Sequence, residues 1–135
     1  MNQNAVIILL LSFFFLACEK KQNTNLQKKK IKLQYVAWAC ECPNWVTLKD
    51  IAEIEDENSL AKKSIFIEAE TEDKELPETL GCNGDIIEFT GNFYPDLGYP
   101  KNYIKTKQKV DKARVFKYSE YKVIKSNYKT THNSG

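Results

Sequence analysis

The sequence predicts a mainly β protein, a small antiparallel β barrel or sandwich carrying one short helix. Three observations predict it. Segments rich in branched and aromatic residues recur at 31–40, 64–70, 85–94 and 113–126. The connections between them hold Gly, Pro, Asn and Lys rather than a helical repeat. About 105 residues follow the N-terminal segment, enough for one modest core and too few for two.

IKLQYVAWAC, residues 31–40, alternates in part and is expected to be a strand. Thr47-Leu48-Lys49-Asp50 has capping-box spacing, and Leu48, Ile51, Ala52 and Glu55 follow at helical intervals, so the helix is placed at 48–55. SIFIEAE, 64–70, puts Ile65, Ile67 and Ala69 on one face and Ser64, Phe66 and Glu68 on the other. Gly81-Cys82-Asn83-Gly84 is a turn, because Gly and Asn tolerate positive φ. The clearest strand follows at 85–94, with Ile87, Phe89, Gly91 and Phe93 on one face. YPDLGYPKNY, 94–103, is a loop by its prolines and glycine. ARVFKYSEYKVIKS, 113–126, is one long strand or a bent pair: Val115, Tyr121 and Val123 share one parity, Phe116, Tyr118 and Ile124 the other. The set resembles an OB-type barrel, with GDIIEFTGNFY standing where such barrels carry a central curved strand. That resemblance implies a helix before the fourth strand, which the Pro-, Gly- and Lys-rich stretch 95–112 does not supply.

The N-terminus carries an address. Residues 5–17, AVIILLLSFFFLA, are apolar all round, too short to span a bilayer and of signal-peptide length. Phe15-Leu16-Ala17-Cys18 then resembles the lipobox of bacterial lipoproteins: bulky residues, a small one, then cysteine. The small residue admits a membrane-embedded peptidase to the backbone, and the thiol is the nucleophile that takes a diacylglyceryl group. The resemblance implies cleavage before Cys18, lipid on its sulfur and acylation, for instance by palmitate, of the freed amine. The chain is expected to divide into a signal peptide (1–17), a lipidated polar tether (18–30), a β-rich domain (31–129) and a flexible tail (130–135). The tether residues after Cys18 would reach about 40 Å stretched. The expected location is the cell envelope on the periplasmic side, with the outer membrane favoured over the inner because Glu19, not aspartate, follows the cysteine.

Charge is balanced overall but unevenly placed. Eleven acids face three lysines between Asp50 and Glu78, whereas ten basic residues face two acids between Lys101 and Lys129. The two stretches either oppose each other across the fold or make separate faces. Tyrosines lie among the lysines, but the secreted address excludes a nucleic-acid partner. The expected partners are the membrane, through the lipid anchor, and an envelope protein, peptide or glycan.

Cys40, Cys42 and Cys82 are the disulfide candidates, since disulfides persist outside the cytoplasm. A bond from Cys82 to Cys40 or Cys42 closes a loop of about 40 residues and stabilises by about 4 kcal/mol in the entropic account. The spacing of Cys40 and Cys42 puts both thiols on one face if the strand continues to them. The alternative is a metal-handling lipoprotein, with Zn or Cu held by Cys40, Cys42, Cys82 and His132. Paired Cys-x-x-Cys units are missing, so no cofactor is expected.

One histidine, no nucleophile-elbow sequence and no phosphate-cradling glycine loop speak against an enzyme. Carboxylate pairs such as Glu53/Asp56 and Glu70/Glu72 read as a solvated face. Tyr94, Tyr99 and Tyr103, with Trp38 and Trp45, either line a shallow site for a sugar or peptide or cap a small core. The expected role is a non-enzymatic binding or assembly module tethered to a membrane surface. Expression of Cys18→Ser with labelled palmitate checks the attachment: incorporation is expected to vanish, and equal labelling of both forms rules the site out.

Overall fold

The computed structural model describes residues 27–39 and 41–128. The expected signal peptide, Cys18 and most of the tether, Cys40, and the tail with His132 lie outside the described residues. Five strands form: β1 (Lys29–Tyr35), β2 (Trp45–Thr47), β3 (Ile65–Ala69), β4 (Ile86–Phe93) and β5 (Arg114–Lys125). Helices α1 (Leu48–Glu53) and α2 (Glu57–Lys62) lie between β2 and β3, and a 3₁₀ turn, Glu72–Lys74, follows β3.

The strands close into a barrel in the order β1-β2-β3-β5-β4, with β4 returning to pair with β1. The expected small β barrel is thus formed. Four of the five strand contacts are antiparallel, as expected; β3 and β5 run parallel, from Ile65 opposite Arg114 to Ala69 opposite Tyr118. A closed ring of five strands cannot alternate direction all the way round, so one parallel contact is a geometric necessity. Alternation in a sequence reports faces, not directions.

Boundaries moved for identifiable reasons. β1 starts at Lys29, inside the expected tether, and stops at Tyr35 rather than Cys40. The Tyr35 amide donates to the Asp85 carbonyl (2.8 Å), the Val36 amide to the Asn44 carbonyl (2.7 Å) and the Ala37 amide to Asn83 Oδ1 (3.1 Å), so the chain turns away from the strand line. Three residues of β2 follow; so short a strand has no periodicity to read. Thr47 caps α1 as expected, its Oγ1 accepting from the Asp50 amide (3.0 Å). Among the described residues a second short helix follows the expected one. Asp56 caps the second by accepting from the Ser59 amide (2.9 Å), a signal lost within a run of acids. The stretch 95–112, read as too rich in Pro, Gly and Lys to supply the helix of the OB resemblance, forms no helix; it is the connection from β4 to β5.

Leu33, Trp45, Ile65, Ile87, Phe89, Phe116 and Tyr118 form the core. Tyr35, Trp45, Phe89 and Tyr118 meet edge-on or tilted in succession, with centroids 5.2, 5.3 and 4.9 Å apart. Burying each such ring contributes about 1.5–3 kcal/mol. β5 is one long strand whose parity switches. Thr90 faces Glu120 but Gly91 faces Tyr118, which leaves Ser119 as an extra, bulged residue. Phe116 and Tyr118 point inward before the bulge; Tyr121, three residues later, packs on the core after it.

Gly91 sits at this bulge for lack of room. A Cβ there would land inside contact distance of the Lys117 carbonyl oxygen and 2.7 Å from Tyr118 Cα, both backbone atoms. Gly91→Ala is expected to cost about 1–3 kcal/mol, the usual scale of overpacking. At about 4–8 °C per kcal/mol, thermal unfolding reads this directly, and an unchanged Tm contradicts the close approach.

Candidate functional site

The β4–β5 connection, residues 94–113, is the longest in the barrel and is strapped over the outer face of β3. Its ends are drawn together where Gly98 and Ala113 form a two-way bridge (2.9 and 3.1 Å). Glu68 of β3 holds its first half. Although a carboxylate, Glu68 is only 9% exposed. Its Oε1 accepts from the Tyr94 hydroxyl (2.6 Å) and its Oε2 from the Lys101 amide (2.8 Å). The hydrogen bond to Glu68, then burial, pushes the Tyr94 phenol up to about 12.

Aromatic contacts hold the rest. Tyr99 and Tyr103 stack (4.6 Å between centroids, 19° between planes) and both rest against Phe66 of β3. The Tyr99 hydroxyl donates to the Val110 carbonyl (2.6 Å). Farther along, the Thr106 hydroxyl donates to the Glu41 carboxylate, and the Glu41 amide donates to Gln108 Oε1 (3.2 Å), tying the strap to the β1–β2 connection. The loop aromatics therefore cap and fasten. Trp45 is in the core and Trp38 Nε1 donates to the Pro43 carbonyl (2.9 Å), so neither stands in an open aromatic site.

Of the disulfide candidates among the described residues, Cys42 is bonded and Cys82 is not. Cys82 is a free, half-buried thiol. It lies in a turn whose ends, Gly81 and Gly84, have φ of +88° and +85°. The wholly buried Asp85 fixes that turn: one oxygen accepts from the Gly81 and Cys82 amides (3.1 and 2.9 Å), the other from the Asn127 amide (2.6 Å). Cys42 is disulfide-bonded to a sulfur outside the described residues. The bond expected from Cys82 to Cys40 or Cys42 is thus corrected. Tyr35 of β1 stands between β2 and the Cys82 turn, pairing with Trp45 on one side and Asp85 on the other. Cys42, at the entrance to β2, lies instead beside Phe66 and Ile67 of β3. A disulfide sulfur is no thiolate, so Cys42 also leaves the proposed metal set. Cys40 and His132 lie outside the described residues, among which no three His, Cys, Asp or Glu side chains are grouped to hold a metal.

What the sequence reasoning missed is the seam between β2 and β3. The two strands share one registered pair, Trp45 with Ile65. Beyond it, among the described residues, Phe66 to Ala69 have partners on the β5 side alone. At the end of β3, between residues 70–76, the strap at Pro100–Asn102 and Lys117 and Tyr118 of β5, lies a cleft of about 420 Å³. Ile67, Ala69, Leu76 and Tyr118 give it apolar surface; Glu70, Glu72 and Glu75 line it together with Lys101 and Lys117. Here the acidic and basic stretches of the sequence meet. No sequence signal marks the seam, because an unpaired strand edge follows from the shortness of its neighbour. Among the described residues no helix is long and apolar enough to cross a membrane. Compared with protein families, curated proteins and solved structures, the chain matches none of them.

The clasp is checked by Glu68→Gln, which keeps the shape and removes the charge. Tryptic cleavage within the lysine-rich strap is expected to accelerate by about tenfold, the equivalent of one charge-assisted hydrogen bond. The pH dependence follows the sign of the Tyr94 shift. A folded value near 12 against about 10 unfolded gives a contribution that is full below pH 10 and lost as pH rises toward 12. Tyr94→Phe is expected to unfold less steeply over that window; identical alkaline profiles contradict the clasp.

Proposed function

We propose that this protein is a non-enzymatic binding module of the bacterial envelope, tethered by lipid at Cys18, that takes an extended peptide segment of a partner protein along the open edge of β3. The observation that carries this reading is the β2–β3 seam. Backbone amides and carbonyls at a strand edge are obligatory hydrogen-bonding groups, and an added strand satisfies them. An extended peptide supplies matching groups at the right interval, whereas a glycan does not. The apolar floor of the cleft accepts one or two side chains, and the rim of both signs suits a segment of mixed charge. The lipid keeps the module at a membrane surface, where a partner is met in two dimensions rather than three. The lipobox at Phe15-Leu16-Ala17-Cys18 supports the anchor.

A photo-crosslinking residue placed at Asn102, on the cleft rim, tests the reading in intact cells against the same residue at Lys125, the far end of β5. The expected result is a defined adduct from Asn102 alone, mapping to an extended segment of one envelope protein. No adduct, or the same adducts from both positions, contradicts it.

A further inference from the structure

We infer that the β4–β5 strap is also a membrane-contacting surface, its outward side resting on an anionic phospholipid bilayer. The inference rests on the lipid-anchor reading and extends it from a tether to an orientation. The strap's inward side is committed to β3 through Tyr94, Tyr99, Tyr103 and the Lys101 amide. Two of its apolar residues stand open to solvent: Ile104 is 80% exposed and Leu97, at the rim of a depression shared with Lys63 and Arg114, 60%. Large apolar side chains this open on a clasped loop lack a partner within the fold. Lys101, Lys105, Lys107, Lys109 and Lys112 give the strap five cations against two acids, Asp96 beside Leu97 and Asp111. Apolar residues set among cations suit the boundary between headgroups and acyl chains of an anionic leaflet.

The point of chain entry selects this occupant. β1 begins at Lys29 opposite Gly91, two residues before β4 ends and the strap begins. Lys28 lines the same surface depression as Tyr94 and Pro95, the first residues of the strap. Ten residues separate Lys28 from the expected lipid at Cys18, counting Lys28. They reach about 35 Å at full stretch. A barrel held on so short a lead from that end presents the strap to the bilayer it is anchored in.

The test uses the full lipidated chain on vesicles of phosphatidylcholine and phosphatidylglycerol at seven to three, with brominated acyl chains as quencher. Ile104→Trp and, at the opposite end of the barrel, Thr79→Trp are each compared with the unsubstituted chain, whose two tryptophans give the background. The added emission of the Ile104→Trp chain is expected to fall by about half on these vesicles. It is expected to recover when phosphatidylglycerol is omitted or at molar salt, where charge attraction is screened. The added emission of the Thr79→Trp chain is expected to stay unquenched. Chains that sediment with the vesicles but show no quenching at Ile104→Trp, or equal quenching at both positions, overturn the docking and leave the anchor standing. Chains that stay in the aqueous phase overturn both.

Discussion

Glu68 is the residue on which the arrangement of this barrel turns. A carboxylate taken out of water costs several kcal/mol unless its oxygens find donors. Each Glu68 oxygen finds one, the Tyr94 hydroxyl and the Lys101 amide, and both donors belong to the strap. Such bonds contribute about 1.5–3 kcal/mol each, so the charge is stable under cover only while the strap lies over it. The dependence runs both ways. The strap has one two-way backbone bridge of its own, between Gly98 and Ala113, and otherwise takes its course from β3 and, at Thr106 and Gln108, from Glu41 of the β1–β2 connection.

From that fixed course follow the surfaces on which function is proposed. One edge of the strap, at Pro100 to Asn102, lines the cleft beside the open part of β3. The other side carries Ile104 and the lysines outward. The barrel itself supplies the remaining constraint. With five strands and one parallel contact, β3 takes its main pairing from β5, and the three-residue β2 matches it at Ile65 alone. The seam is therefore a consequence of where β1 ends. Once the Tyr35, Val36 and Ala37 amides are bound to Asp85, Asn44 and Asn83, too few residues remain before Thr47 caps α1 for β2 to extend.

Much of the fold was legible in the sequence because it rests on local pattern. Period-two alternation located β3 and β4 within a residue or two, and the Thr47 capping box located α1. The parity conflict within β5 was visible as well, with Tyr118 and Tyr121 on opposite counts. Its cause, the bulge at Ser119, depends on the partner strand and was not visible. The strap's clasp joins residues 68, 94 and 101, and no local rule links a glutamate in a strand to an amide more than thirty positions away. Strand direction, the single-pair seam and the separation of Cys82 from Cys42 by Tyr35 are likewise properties of the closed ring. The site was the less legible part for this reason. Its elements are gaps between strands, and a sequence displays what strands contain.

Amide hydrogen exchange at Lys101 tests the central claim most directly, since that single N–H lies in a loop without secondary structure and has a buried carboxylate as its acceptor. If Glu68 holds the strap, the Lys101 amide is protected to the level of the β3 and β4 amides. Exchange at the rate of an open chain, with the strand amides still protected, would mean that the strap is unclasped and that neither proposed surface has a fixed place.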